Sequence, residues 1–190
     1  MPERMLTEPE GYSLLDACGI PVPPHQVVTS ADDALEAAGR IGYPVVMKIV
    51  SPQIIHKSDV GGVIIGIENP DDAEAAYHTI MQNAATHAPE ATITGIIVAK
   101  QAPRGLEVLI GGKTDPAFGK VITFGLGGKL VELLQDVAIR VLPITEDDVR
   151  AMIRDIEGYR LIQGYRGEAP KDEEALIQVV TKMARQFVEN

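Results

Sequence analysis

The sequence predicts a layered α/β (α+β) protein of two lobes, built from mixed, largely antiparallel sheets with flanking helices. Three observations point there. Several stretches carry apolar residues at helical spacing behind recognisable caps. Runs rich in Val and Ile lie between them. Several neighbouring runs are joined by connections too short for a crossover helix, which requires antiparallel pairing.

The helices follow from their caps. Thr7 with Glu10 forms a capping box ahead of Leu14, Leu15 and Cys18, and Gly19 closes that helix. Cys18, the single cysteine, permits no intramolecular disulfide and is expected to be a small core residue. Ser30 with Asp33 opens a second helix bearing Leu35, Ala38 and Ile41, stopped at Gly42. Asn69-Pro70-Asp71-Asp72 supplies a cap, a first-turn proline and acidic charge at the positive helix end. Ala73, Ala76, Tyr77, Ile80, Met81 and Ala84 follow at helical spacing. Thr145 caps a helix carrying Val149, Met152, Ile153 and Ile156, expected to end at Gly158. The last helix starts near Asp172 and aligns Leu176, Val179, Val180, Met183, Ala184 and Phe187.

The strands are Val45 to Val50, Val63 to Ile67, Ile93 to Ala99, Lys120 to Phe124 and Val137 to Val141. Leu106, Val108 and Ile110 alternate with Glu107 and Leu109 in a further half-buried strand. Ala-Pro-Arg-Gly at 102–105 is the candidate hinge between the lobes.

Composition narrows the function classes. A hydrophobic fraction of 45% with 23% charged residues describes a globular protein, and the net charge of −10 excludes a general binder of nucleic-acid backbone. Aromatic residues are only 4%, so the core rests on Val, Ile, Leu and Ala. The sequence shows no charged-then-apolar leader and no apolar run near the ~18 residues of a membrane span, so the expected location is the cytoplasm.

Chemistry gathers after the second helix. Lys48 interrupts the apolar run Val45 to Val50, and its charge needs a protein carboxylate, a route to water or a bound phosphate. The loop Ser51 to Val63 follows, with His56, Lys57, Val60, Gly61 and Gly62. Paired glycines let main-chain N–H groups approach an anion, although a plain turn needs them too. An imidazole near its free pKa is a competent nucleophile toward phosphorus, although most lone histidines are surface residues. His25, His78 and His87 have no comparable setting, and no metal-ligand spacing is present. Glu107 suits either a structural pair with Lys48 or hydrogen bonding to a ribose. Phe124-Gly125-Leu126-Gly127-Gly128 is a glycine turn without the spacing of a Rossmann or Walker fingerprint. Glu132, Asp136 and Arg140 recur every fourth residue, but Val137-Ala138-Ile139 reads as strand.

Taken together and in order, these segments resemble one family. Leu6-Thr7-Glu8-Pro9-Glu10, Gly42 to Lys48, Ser51 to Val63, Asp115 to Gly119, Phe124 to Gly128, Val131-Glu132, Asp136-Val137 and Gly164-Tyr165-Arg166-Gly167 carry the resemblance. The family is the ATP-grasp portion (beta subunit or domain) of the ADP-forming acetate–CoA ligases, related to succinyl-CoA synthetase beta subunits. The resemblance spans nearly all 190 residues as a single ATP-grasp domain, 1–100 forming the first lobe and 101–190 the second, incomplete one.

It implies ATP or ADP with Mg²⁺, an alpha-type CoA-binding partner, and the reaction acyl-CoA + ADP + phosphate ⇌ carboxylate + CoA + ATP. Lys48 matches a phosphate-binding lysine, and Val60, Gly61 and Gly62 match a loop covering the phosphates. Val98, Ala99, Gln101 and Ala102 match the hinge that reads the adenine edge, Glu107 a carboxylate near the ribose, and His56 a phosphate-relaying histidine. The family's Mg²⁺ ligands lie in an acidic-Ile-Asn-Pro segment that nothing here replaces in order. The chain is therefore expected to be truncated or completed by another polypeptide, with weak nucleotide binding alone. Two other readings stand beside this one: a carboxylate–amine ligase that does not need His56, and a non-catalytic nucleotide-binding module.

Overall fold

A computed structural model describes residues 5–128 and 136–189. They divide into two compact units. The first comprises the described residues through Ala17 together with Pro21–Pro103; the second comprises Cys18–Ile20 and those from Arg104 onward.

In the first unit the elements run α1 (Glu8–Ala17), β1 (His25–Val28), α2 (Ala31–Ile41), β2 (Val45–Val50), β3 (Val63–Ile67), α3 (Pro70–His87) and β4 (Gly95–Lys100). The strands form one antiparallel sheet in the order β1-β4-β2-β3. Alternation along β2 sends Val45, Met47 and Ile49 into a core with Ala37, Ala38, Ala76 and Ile80 from α2 and α3. Val46, Lys48 and Val50 therefore occupy the opposite face of the sheet. Met47, Ile49, Ile80 and Ile96 are fully buried, each worth roughly 1.5–3 kcal/mol of transfer free energy.

The caps of α2 and α3 form as their sequences require. Ser30 Oγ accepts the Asp33 N–H at 3.1 Å, Asn69 Oδ1 accepts the Asp72 N–H at 2.9 Å, and Gly42 closes α2 at φ 84°. Helix α1 differs from expectation. Glu10 does accept the Thr7 N–H at 2.8 Å, but α1 has no buried residue and Leu14 is 43% exposed. Cys18 is half-buried, not a core residue, and lies just past the end of α1 at Ala17. Strand β1 was not legible. It is four residues long, follows Pro23-Pro24, and is recruited by pairing with β4.

The second unit contains β5 (Val108–Asp115), β6 (Gly119–Leu126), β7 (Val137–Val141), α4 (Glu146–Asp155), α5 (Tyr159–Ile162) and α6 (Glu173–Glu189). Its antiparallel sheet has the order β5-β6-β7. One face, with Ile122, Phe124, Leu126 and Ala138, packs on Val149, Met152, Ile153, Ile177 and Val180. Thr145 and Asp148 complete a reciprocal capping box. The helix it opens ends at Asp155, not Gly158. Gly158 instead precedes the short α5, where an added Cβ would lie 2.4 Å from Leu126 Cδ1.

Ile177, not among the residues the sequence placed on the buried face of the last helix, is its largest fully buried side chain at 1% exposure. Asp136 and Arg140 form no helical ladder. Asp136 accepts the N–H groups of Glu157 and Gly158 at 2.8 and 2.7 Å, and Arg140 on β7 pairs with Asp155. Val131 and Glu132 lie outside the described residues. No helix among the described residues is long and apolar enough to cross a membrane.

Candidate functional site

In the first unit, the sheet face opposite α2 and α3 carries the charge. Lys48 lies on β2 between Val63 of β3 and Ile97 of β4, the latter fully buried. Its Nζ donates to Glu8 Oε1 of α1 at 2.6 Å. The carboxylate partner of Lys48 is thus Glu8, not the Glu107 considered from the sequence, where Glu8 stood only within the family-like segment Leu6 to Glu10. Glu8 Oε2 also lies 3.3 Å from Lys57 Nζ, and Tyr12 Oη donates to Oε1 at 2.8 Å. One carboxylate therefore holds two ammonium groups side by side. All three side chains are between 16 and 25% exposed, dry enough for the pairing to count.

These contacts set the titration of Glu8. Burial alone raises its pKa. The hydrogen bond and charge of Lys48, the Tyr12 hydroxyl and the charge of Lys57 together bring it below 4.5. Burial and the neighbouring Glu8 push the Tyr12 phenol up. A depressed carboxylate stabilises the fold above its unfolded pKa and loses that contribution as pH falls through the folded value. The stability difference between wild type and Glu8→Gln is expected to be constant at neutral pH and to close only below pH 4.5. Urea unfolding across pH checks it; a difference that vanishes already near pH 6 contradicts the arrangement.

The loop after β2 is an ordered chain of turns. The Asp59 N–H donates to His56 O at 3.1 Å, Gly61 N–H to Ser58 O at 3.1 Å, and Gly62 N–H to Lys57 O at 2.8 Å. The loop's base closes where Ile49 N–H donates to Gly62 O at 2.8 Å. The glycines are required by this packing. Gly61 has φ 62°, and a Cβ on Gly62 would lie 2.5 Å from Ile49 Cγ2. Their N–H groups are therefore engaged within the loop here, and Val60 packs against the helix-side core. His56 is exposed at the turn. Among the described residues its imidazole makes no hydrogen bond or ion pair. Beside it Gln53, Ile54, Ile55, Asp59, Val60, Ala88, Pro89 and Ala91 line an open, largely apolar cavity of about 550 Å³.

The segment at the end of β4 offers main-chain groups. Strand β4 lies between β1 and β2, so the ladders take up the main chain of Val98 and Ala99, whose side chains are buried. The Gln101 N–H donates to Pro44 O at 3.2 Å, but Pro44 has no N–H to return. Among the described residues, the Gln101 carbonyl and the Ala102 N–H are left without a hydrogen bond. Gln101 Oε1 accepts the Gly66 N–H at 2.6 Å, which fixes the side chain and the direction of this segment.

In the second unit Glu107 directly precedes β5 and is exposed, not part of a strand. Its carbonyl accepts the Gly127 N–H at 2.7 Å. The turn glycines make room for it: a Cβ on Gly127 would lie 2.8 Å from Val108 N, and one on Gly128 would strike the Glu107 carboxylate. That turn has φ 66° at Gly128. No group of three or more potential metal-ligating side chains occurs among the described residues.

The family model for the ATP-grasp domain matches residues 2–190. The chain belongs to the ATP-grasp family. Among curated ATP-grasp relatives, the chain is 49% identical to the beta subunit of acetate–CoA ligase [ADP-forming] I of Pyrococcus furiosus, over 98% of this chain and 80% of that one. Solved structures match the fold as well. The dinucleotide-forming acetyl-coenzyme A synthetase 1 of Ca. Korarchaeum cryptofilum, in complex with coenzyme A, Ca-AMPCP and HgCl+, superposes with a TM-score of 0.96 at 41% identity. That match covers 100% of this chain and 82% of that one. The same protein with coenzyme A and Mg-AMPPCP, its phosphohistidine segment pointing towards the nucleotide-binding site, matches at TM-score 0.83 and 38% identity, covering 98% of this chain and 80% of that one.

Proposed function

We propose that this chain is the nucleotide-binding part of an ADP-forming acyl-CoA synthetase and that His56 relays phosphate to ADP. The observation that carries the reading is an exposed His56, its imidazole without a partner among the described residues, on the loop whose Lys57 shares the Glu8 carboxylate with Lys48 of β2. An imidazole nitrogen accepts a phosphoryl group delivered by an alpha-type CoA-binding partner. A β-phosphate oxygen of ADP then attacks phosphorus, the P–N bond breaks, a P–O bond forms, and neutral imidazole is restored with ATP as product. Little covalent chemistry is asked of the protein beyond this, so positive charge and positioning dominate.

The residues fit a nucleotide. Lys48 and Lys57 supply charge for the phosphates, and the loop of Val60, Gly61 and Gly62 carries His56 beside them. The unbonded Gln101 carbonyl and Ala102 N–H match the donor and acceptor of an adenine edge. Val98 and Ala99 support that segment through the sheet, and Glu107 is the residue we assign to ribose contact. Similarity to complexes with Ca-AMPCP and Mg-AMPPCP supports the nucleotide, and similarity to a beta subunit supports an alpha-type partner.

Lys48→Ala is expected to weaken ADP binding by about 10- to 100-fold in calorimetry, the scale of one charge-assisted phosphate contact. Equal affinity in wild type and variant removes the phosphate role.

A further inference from the structure

Helix α1 is held to the sheet in an unusual way. It has no buried residue, so apolar burial contributes little to its attachment. Its contacts include Glu8 with Lys48 and Lys57, Tyr12 with Glu8, and the Tyr12 ring edge-on to His25 at 4.8 Å between centroids. One of these contacts ends on Lys57, the residue following His56. The segment Met5–Glu8 also lines a cavity of about 40 Å³ with Val50, Ser51, Pro52, Ile54, Ile55 and Lys57. The N-terminal segment thus touches the root of the His56 loop directly.

Two ammonium groups so close repel one another unless an anion lies between them. Glu8 is that anion here. Polyphosphate is a stronger anion with more acceptor oxygens, and it needs the same donors. Carboxylate and phosphate cannot both sit against Lys48 without like-charge repulsion.

We propose that Glu8 is a counter-ion latch, which holds the His56 loop against α1 through Lys57 and yields the two lysines to the phosphates of a bound nucleotide. This rests on the nucleotide reading of the site and adds to it a link between occupancy and loop release. The nucleotide frees the loop that carries the reacting imidazole only when a phosphate acceptor is present. Premature movement of a phosphorylated His56 toward an empty site is thereby disfavoured.

The sign of one substitution separates a latch from a structural support. Glu8→Gln keeps the shape and removes the charge. In the unliganded full chain, hydrogen exchange of amides 53–60 is expected to rise about tenfold, to the level that ADP induces in wild type. Affinity for ADP and for inorganic tripolyphosphate is expected to increase about threefold to tenfold, because a competing anion is gone. A merely structural Glu8 predicts the reverse, a loss of affinity, and that result overturns the proposal.

Lys57→Gln guards against misfolding of α1, since it leaves the Glu8–Lys48 pair in place. It should raise loop exchange while exchange in α1 stays unchanged. Unchanged loop exchange in both variants overturns the latch alone. Failure of wild type to bind ADP or tripolyphosphate overturns the nucleotide reading and the latch with it.

Discussion

His56→Asn, assayed with an alpha-type partner supplied, is expected to lower ATP formation from acyl-CoA, ADP and phosphate by about a thousandfold or more, with ADP affinity changed less than about twofold. Asparagine keeps a polar side chain at the exposed turn but has no nitrogen able to hold a phosphoryl group as a leaving-group-competent phosphoramidate. The backbone hydrogen bonds of the turn, from Asp59 N–H to residue 56 and from Gly62 N–H to Lys57, do not use the imidazole. The fold and the lysines should therefore be undisturbed. Wild type incubated with labelled ATP should acquire an acid-labile, base-stable phosphate that the variant lacks. Full activity in the variant, or label on another residue, would remove His56 from the reaction and favour a ligase that passes through an acyl phosphate alone.

Phe124→Ala is the substitution with the largest expected effect on stability, about 3–5 kcal/mol. Phe124 is fully buried on the middle strand of the second sheet, surrounded by residues of α4, α5 and α6. Its neighbours Met152, Ile153 and Ile162 are themselves buried to within 1%, so the site has little slack to collapse into the cavity. The loss should fall on the second unit. Amides of β2 and β4 in the first unit are expected to keep their protection in hydrogen exchange while those of β5, β6 and α6 lose it. Equal loss in both units would mean that they unfold as one cooperative body.

Much of this was legible in the sequence because it was encoded locally. The caps at Ser30, Asn69 and Thr145 act over three residues, and the alternation of β2 is fixed by the pleat, so both survive into the fold. The antiparallel pairing followed from connection length alone. What escaped prediction depends on partners distant in the chain. Strand β1 is too short to show a pattern and exists through pairing with β4. Ile177 is buried by packing across the helix layer. The apolar residues of α1 suggested a buried face that the helix does not have.

The candidate site divides in the same way. Lys48, His56, Gly61, Gly62, Gln101, Ala102 and Glu107 were singled out from residue type, spacing and family resemblance, since a lysine within an apolar strand or a histidine on a glycine loop is anomalous where it stands. The sequence by itself determined the class of the protein and its ATP-grasp membership, and it named the candidate residues for phosphoryl chemistry. Only the tertiary structure decided that Lys48 and Lys57 share one carboxylate, forty residues away from Lys48 along the chain. It also decided that the glycines of the His56 loop serve its packing, and that the Gln101 carbonyl and the Ala102 N–H are left without a hydrogen bond among the described residues, where Pro44 ends the ladder. The physical reason is common to all three. Charge pairing, steric clearance and hydrogen-bond satisfaction belong to pairs of groups, and which groups meet is settled only when the sheet and helices have packed.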